Sequence, residues 1–198
     1  ETADWAVRWA DYSYDRSSLT VTTTPVVASA QTRASHAGIG LNNILNDGEA
    51  GARAAGFEPD NYDFVTVLTK GAGHGYCGVA YVGGRRSHNV CFGNGTPNHE
   101  FGHNLGLRHA NYNYTSHPTD PASQDPVAGS PDSPWAEYGH YYSNQNSQRG
   151  SLRNGRAHYG PMEKLHIDWL RDTEVTTVQA NGTYRINQLD HNRSRKRT

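Results

Sequence analysis

Three histidines and a glutamate fall within eleven residues of the chain, in the segment HEFGHNLGLRH at positions 99–109. Residues four apart lie on one face of a helix, so His99 and His103 can present two imidazoles to one metal ion. Gly106 can adopt the left-handed conformation that ends helices, and the resulting turn can bring His109 to the same ion. Three neutral nitrogen ligands with an open fourth position are typical of a catalytic zinc site.

Glu100 follows the first ligand and points in a different direction, so it can lie beside a water molecule on the metal. Zinc lowers the pKa of such a water towards about 7, and a carboxylate can then take its proton and pass it to a leaving amine. The motif therefore predicts hydrolysis through a zinc-bound water with Glu100 as general base. The absence of a GxSxG segment or another nucleophile signature argues against a serine or cysteine mechanism.

The sequence around the motif indicates which elements hold these residues. Thr96 is a good helix cap and Pro97 suits a first helical position, which favours a helix start there. The apolar run at 63–69 predicts a buried strand, and a second strand is expected at 76–82 after a glycine-rich turn. Alanine-rich residues 28–55 favour a helix that their glycines interrupt.

Weaker patterns lie towards both ends of the chain. Residues 1–16 favour a helix over an irregular strand, and the Thr- and Val-rich residues 19–27 favour a strand. Residues 110–134 are rich in Asn, Ser, Pro and Asp and predict a long loop, of a kind that is usually functional or tied down. A second helix is expected at 161–170, and one or two strands at 175–189.

Composition limits the classes of partner. The chain has 198 residues and a formal net charge of -1, which fits one domain, or one domain with a short appendage, and excludes a general affinity for nucleic acid or acidic membranes. No apolar run approaches the ~18 residues of a transmembrane helix. The expected partners are protein or peptide substrates, with no nucleic acid and no membrane, and the expected state is a monomer.

Two cysteines allow a single pairing within the chain. A bridge between Cys77 and Cys91 would close a loop of about fifteen residues, worth roughly 3 kcal/mol in the chain-entropy treatment. The alternative is two unrelated thiols. A bridge would be in keeping with an extracellular protein.

The eight remaining histidines are expected to be surface or hydrogen-bonded residues rather than ligands. Two of them, His74 and His140, could approach the cleft. The full set is His36, His74, His88, His117, His140, His158, His166 and His191.

The segment HEFGHNLGLRH matches the HExxHxxGxxH pattern of the metzincin metallopeptidases. The chain also resembles their gametolysin-type branch outside the motif, roughly over residues 56–170. The segments that carry this resemblance are NYDFV at 61–65, GVAYVGG at 78–84, EYG at 137–139 and MEKLHIDWL at 162–170. The resemblance implies a secreted zinc endopeptidase.

The resemblance also implies an α+β fold with an α/β-like upper part. Its expected parts are a twisted mixed sheet, an active-site helix and a smaller, irregular C-terminal subdomain. The upper catalytic subdomain would cover 1–109 and the lower one 110–172, with the start of a β-rich module or a processed tail at 173–198. A substrate peptide could add to the edge strand beside the cleft. That strand would contain Gly78, Val79, Ala80 and Tyr81.

One departure from the family concerns the methionine turn beneath the zinc. Alignment on the Glu-Tyr-Gly segment puts this turn at 143–147, with Gln145 in the position of the methionine. The alternative is that Met162, the single methionine of the chain, lies under the metal. A glutamine would not abolish zinc binding, but it could alter the packing that orients the imidazoles. Some metzincins have a tyrosine two residues after the methionine, and the substitutes here would be Tyr141, Tyr142 or Tyr159.

Three functional hypotheses remain at this point. The main one is a secreted zinc metalloendopeptidase. A second is a non-catalytic protein-binding or adhesive module on a metallopeptidase scaffold, which Gln145 motivates and Glu100 opposes. A third is zinc-dependent hydrolysis of a non-peptide amide or ester. The sequence gives one catalytic zinc as cofactor and does not give any calcium sites.

Overall fold

A computed structural model describes residues 8–70, 73–91, 95–113, 135–136, 138, 143–145 and 158–185. The architecture is mixed α+β, as the sequence predicted, with a small three-stranded mixed sheet. The chain forms two compact units, one from Glu1–Thr23 with His158–Thr198 and the other from Thr24–Ala157. The boundaries between these units, after residues 23 and 157, are not the subdomain boundaries expected at 109 and 172, which stay a prediction.

The unit Thr24–Ala157 contains the sheet, the motif helix and most of the other regular structure. A short 3-10 helix, Pro59–Asn61, precedes its first strand. Its elements in chain order are α1 (Arg33–His36), α2 (Leu41–Ala54), β1 (Val65–Leu68), β2 (Gly78–Ala80), β3 (Arg86–Asn89), α3 (Thr96–Asn104), β4 (Tyr112–Asn113) and β5 (Trp135–Ala136).

The three-stranded sheet has the order β1-β3-β2, so β2 lies at an edge. The pair β1 and β3 is parallel, with Val65 opposite Arg86, and the pair β2 and β3 is antiparallel, with Gly78 opposite Asn89. The strands expected at 63–69 and 76–82 are confirmed, though both are shorter. The first is not a fully buried strand, because its last residue, Leu68, is 52% exposed.

The central strand β3 has the sequence RSHN, in which no apolar pattern is present. Its residues Ser87, His88 and Asn89 are nevertheless buried. Hydroxyl groups of neighbouring segments satisfy two of these polar side chains, since Ser87 Oγ lies 2.8 Å from Thr66 Oγ1 and His88 Nε2 lies 2.8 Å from Thr69 Oγ1. A polar strand can be central when such partners exist, and only the folded chain supplies them.

The interruption expected in the alanine-rich segment is confirmed, because α1 and α2 are separate helices. Helix α2 buries Ile44 and Leu45, which are 1% and 0% exposed. Its Glu49 is also buried and lies 3.8 Å from the guanidinium of Arg86. These side chains fix α2 by apolar burial and by the charge pairs of Glu49 with Arg85 and Arg86.

The unit formed by the two ends of the chain has an aromatic core. Residues 8–12 are helical, in agreement with the helix expected in 1–16, and α4 spans Pro161–His166, shorter than predicted. The Trp9 and Trp169 rings meet edge to face at 4.7 Å between centroids. The buried apolar side chains of this unit are Trp9, Tyr12, Tyr159, Trp169 and Leu170.

Two predictions of strands are wrong in the residues that the structure describes. Residues 19–27 and 175–185 contain no strand. Both stretches have residues typical of strands, but β propensity depends on a partner strand and a face to bury, and neither stretch has one here. Residues 186–189 of the second stretch lie outside the described residues, as do residues 114–134 of the expected long loop.

The disulfide between Cys77 and Cys91 is present, with an S–S distance of 2.07 Å. It joins the residue before β2 to the second residue after β3. The amides of Val90 and Cys91 also donate to the carbonyl oxygen of Cys77, at 2.8 and 3.1 Å. Within the described part of the chain, no helix has the length and apolar character to span a membrane.

Candidate metal centre

Helix α3 carries the first two predicted ligands and is enclosed on nearly every side. Gly95 occupies the cap and Thr96 is the first helical residue, so the helix begins one position earlier than the sequence predicted, with Pro97 in the first turn. Phe101 is 7% exposed and packs edge to face on Phe64, at 4.8 Å between ring centroids. This packing helps to hold α3 in place against β2 and β3.

The three predicted ligands come together. One nitrogen of each of His99, His103 and His109 lies within 4.8 Å of the others. Ring centroids are 4.7 Å apart for His99 and His103, 4.8 Å for His103 and His109, and 5.5 Å for His99 and His109. Gly106 has a φ of 92°, so the left-handed turn expected from its sequence position is confirmed.

Backbone carbonyl groups set the tautomer of two of these imidazoles. His99 Nδ1 lies 2.9 Å from the carbonyl oxygen of Asn144, and His103 Nδ1 lies 2.7 Å from that of Leu107. A carbonyl oxygen only accepts, so each Nδ1 carries the proton and each Nε2 keeps a lone pair. Histidines that bind a metal through one ring nitrogen usually donate a hydrogen bond from the other nitrogen in this way.

Burial keeps these two imidazoles neutral. It lowers the pKa of His99 from 6.5 to about 4 and also lowers the pKa of His103, while the Asn144 and Leu107 carbonyl oxygens act in the opposite direction. Metal binding needs neutral imidazoles, so the donor set fits a divalent ion.

Glu100 is 5% exposed, and burial raises the pKa of its carboxyl group from 4.5 to about 7. Within the described part of the chain, no hydrogen bond holds the carboxyl group. It lies against the edge strand β2, because a Cβ on Gly78 would be 2.7 Å from Glu100 Oε1. The predicted general base and the first residue of the predicted substrate strand are therefore neighbours.

Three hydrogen bonds at the end of α3 tie it to the loop between β2 and β3 and to the first residue of β3. The Gly83 amide donates to the His103 carbonyl oxygen at 2.8 Å. The Asn104 side-chain amide donates to the carbonyl oxygens of Tyr81, at 3.3 Å, and Arg86, at 3.0 Å. Sequence reasoning did not assign a role to Asn104, although its position directly after a ligand in a buried helix was a usable signal.

The segment 143–145 lies against the first ligand. Gln145 is 0% exposed, and its Nε2 donates to the His99 carbonyl oxygen at 2.9 Å. The backbone carbonyl oxygen of Gln145 accepts from the amide of Ala110, the residue after the third ligand, at 3.0 Å. Met162 is 73% exposed at the start of α4. A residue beneath these imidazoles, of which those of His99 and His103 are buried, would be enclosed, so the geometry favours Gln145 in that position.

Tyr138 is a site residue that the sequence reasoning missed. Its ring lies 3.7 Å from the His109 ring, between centroids, and 6.0 Å from the His99 ring. The Glu-Tyr-Gly segment of the resemblance was the available signal. Of the tyrosines proposed instead, Tyr159 is buried in the other unit against Tyr12 and Trp169, and Tyr141 and Tyr142 lie outside the described residues.

A second histidine cluster lies elsewhere in the same unit. His36 Nδ1 is 3.3 Å from His74 Nε2, and the His74 and His88 rings are 4.9 Å apart between centroids. His74 thus lies with His36 and His88, and His140 lies outside the described residues. Among the described residues, only the group at 99, 103 and 109 brings three ligand atoms together.

No protein-family model, no curated protein and no solved structure matches the chain. The resemblance to gametolysin-type metzincins therefore stays a prediction carried by the motifs themselves. Conclusions about function rest on the residues of the site and their surroundings.

Proposed function

We propose that the chain is a zinc endopeptidase of the metzincin type, gametolysin branch, which hydrolyses peptide bonds of proteins or peptides. One observation carries this proposal. Glu100, whose largely buried carboxyl group has no hydrogen-bond partner among the described residues, lies next in sequence to a ligand in a group of three converging imidazoles. Burying such a group costs stability, and sites that keep groups of this kind are usually functional.

Zinc is the proposed ion because three imidazole ligands with an open position are typical of its catalytic sites. His99, His103 and His109 would hold it. When bound, zinc supplies a Lewis acid for a carbonyl oxygen and lowers the pKa of a coordinated water to about 7.

The chain's own residues supply the proton transfer and the binding of substrate. With its pKa near 7, the Glu100 carboxyl group can both accept and return a proton at neutral pH. The carbonyl oxygens of Asn144 and Leu107 keep the Nδ1 protons of two ligands in place. In the described part of the chain, β2 pairs only with β3, so a peptide could add along its other edge.

Secretion is part of the proposal. A disulfide such as Cys77–Cys91 forms and persists in oxidising compartments and is rare in the cytosol. The non-catalytic adhesive module is the alternative, and it would have no need of a largely buried carboxyl group beside the ligands. We therefore favour turnover over adhesion alone.

The test combines zinc content with cleavage of unfolded casein, with and without a chelator. The parent protein should bind one zinc and cleave casein until the chelator is added. Glu100→Ala and Glu100→Gln should keep the zinc and lose about 10²–10⁴-fold in rate, the usual contribution of general acid–base catalysis. Glu58→Gln, at a glutamate whose side chain is 47% exposed, is the matched control and should cleave normally.

The outcomes separate the three hypotheses. Parental rates in Glu100→Ala would refute the mechanism. Stoichiometric zinc without cleavage of any protein would support the adhesive module, and hydrolysis of small esters or amides without cleavage of a peptide library would support the third hypothesis.

A further inference from the structure

We infer that Gly78 is a positioning residue for Glu100: the missing side chain at position 78 sets where the carboxyl group stands beside the edge strand. This inference rests on the proposed function, which makes Glu100 the proton acceptor. It adds a residue that lies outside the HExxH segment, on β2, and the position of the Glu100 carboxyl group depends on this residue.

The space at Gly78 is filled by the helix. A Cβ there would lie 2.6 Å from Glu100 Cγ, 2.7 Å from Glu100 Oε1 and 2.7 Å from Thr96 Cγ2. These distances are well inside van der Waals contact, so something would have to shift. Gly78 does not have a positive φ, and alanine could adopt its backbone conformation. The requirement for glycine is therefore the close approach of α3 and not the conformation of β2.

The strand itself has little freedom to withdraw. On one side of Gly78, Cys77 is held by the disulfide and by the two amides that donate to its carbonyl oxygen. On the other side, the Tyr81 carbonyl oxygen accepts from Asn104 and the Gly83 amide donates to His103. Both neighbouring stretches are thus fixed, one of them to α3 directly, and an added methyl group would displace the Glu100 side chain first.

This arrangement predicts a specific kinetic effect for Gly78→Ala. None of the three atoms nearest to the added methyl group belongs to an imidazole, so zinc affinity should stay at the parental value. The carboxyl group would be misplaced by part of an ångström or more, and misplacements of about 1 Å can cost up to 10²-fold in rate. The loss should appear in kcat more than in KM, because a proton-transfer group is disturbed.

The matched control is Gly75→Ala, at an exposed glycine three residues earlier in the segment that leads into β2. A Cβ on Gly75 would meet nothing within 4 Å, and its φ is not positive. We expect Gly75→Ala to keep the parental kcat and zinc affinity, and Gly78→Ala to lose roughly 10- to 100-fold in kcat. Equal kcat values in the two variants, or a zinc affinity that falls together with kcat, would overturn the inference.

A second measurement does not depend on turnover. Gly78→Ala should lower the Tm of the metal-free protein by roughly 5 °C, as overpacking does in a chain of this size. In the Glu100→Ala background, Cγ and Oε1 are gone and the drop should be clearly smaller. An equal drop in both backgrounds, or full restoration of Tm and kcat by Thr96→Ser in the Gly78→Ala background, would show that Glu100 is not the group displaced.

These readouts keep the two proposals apart. If the parent protein binds zinc but cleaves nothing, the proposed function fails. The thermal cycle would still report whether Gly78 sets the position of the Glu100 side chain.

Discussion

The side chain of Gln145 is completely buried, yet only one end of its amide has a partner among the described residues. Nε2 donates to the His99 carbonyl oxygen, while Oε1 is buried without a hydrogen bond. A buried unsatisfied oxygen costs about 1–3 kcal/mol, which is comparable to or larger than the net gain from the bond at the other end. Shape rather than hydrogen bonding is therefore the main contribution of this side chain.

This balance predicts the effect of two substitutions. Gln145→Met keeps a similar volume, loses one hydrogen bond and removes the unsatisfied oxygen, so the free energy of unfolding should change little or rise. Gln145→Ala leaves a cavity beside His99 and should lose about 2 kcal/mol or more. Thermal unfolding of the metal-free variants measures both. If Gln145→Met is as unstable as Gln145→Ala, the hydrogen bond is what matters.

At the scale of elements, strand β3 brings a titratable group into the interior. His88 is 0% exposed, with Nδ1 3.0 Å from the Tyr76 hydroxyl and Nε2 2.8 Å from that of Thr69. His36 and His74 face the same ring, and Asp47 lies 3.8 Å from the far nitrogen of His36. Burial and then the two neighbouring imidazoles lower the pKa of His88 from 6.5 to about 4.

The lowered pKa of His88 predicts a loss of stability in acid. Between pH 6.5 and about 4 the unfolded chain binds a proton at this residue that the folded chain does not, so stability rises with pH in this window. His88 should therefore destabilise the fold by roughly 2 kcal/mol at pH 5 relative to pH 7.5. Burial also lowers the pKa of His74, which adds in the same direction.

Denaturant unfolding of the metal-free protein at the two pH values measures this effect. His88→Gln should lose less stability between pH 7.5 and pH 5 than the parent, whatever its stability at neutral pH. His166→Gln, at an exposed histidine, should behave as the parent does. An equal pH dependence in His88→Gln and the parent would contradict the assignment.

At the scale of the whole molecule, the candidate metal centre joins parts of the chain that are distant in sequence. Its ligands come from α3 and the turn after it, and the segment 143–145 supports them from the other end of the same unit. An ion that binds the folded chain and not the unfolded one stabilises it by about 2.7 kcal/mol at a concentration of 100 times its Kd. The stability of this unit should therefore follow metal occupancy.

Zinc titration followed by thermal unfolding tests this expectation. Saturating zinc should raise the Tm by roughly 5–10 °C, since about 1 kcal/mol corresponds to 2–4 °C in a chain of this size. A chelator should reverse the rise. His103→Ala should abolish it and His166→Ala should retain it. A rise that persists in His103→Ala would mean that zinc acts at another place.

The sequence by itself determined which three imidazoles converge and which carboxyl group follows the first of them. That information is local, because i and i+4 spacing and a glycine turn are enough to aim three imidazoles from one eleven-residue segment. The two cysteines and the interrupted helix before β1 were also readable, since each depends on residue type and short spacing. The strands expected at 19–27 and 175–185 were wrong because a strand needs a partner that propensity does not supply.

Only the tertiary structure decided what surrounds those four residues. Gly78 meets Glu100 across 22 positions of sequence, Tyr138 meets His109 across 29, and Gln145 meets His99 across 46. Such contacts depend on how strands and helices pack, and neither residue type nor periodicity encodes them locally. The same holds for β3, whose Ser87 and His88 have partners in the interior only because Thr66, Thr69 and Tyr76 meet them there.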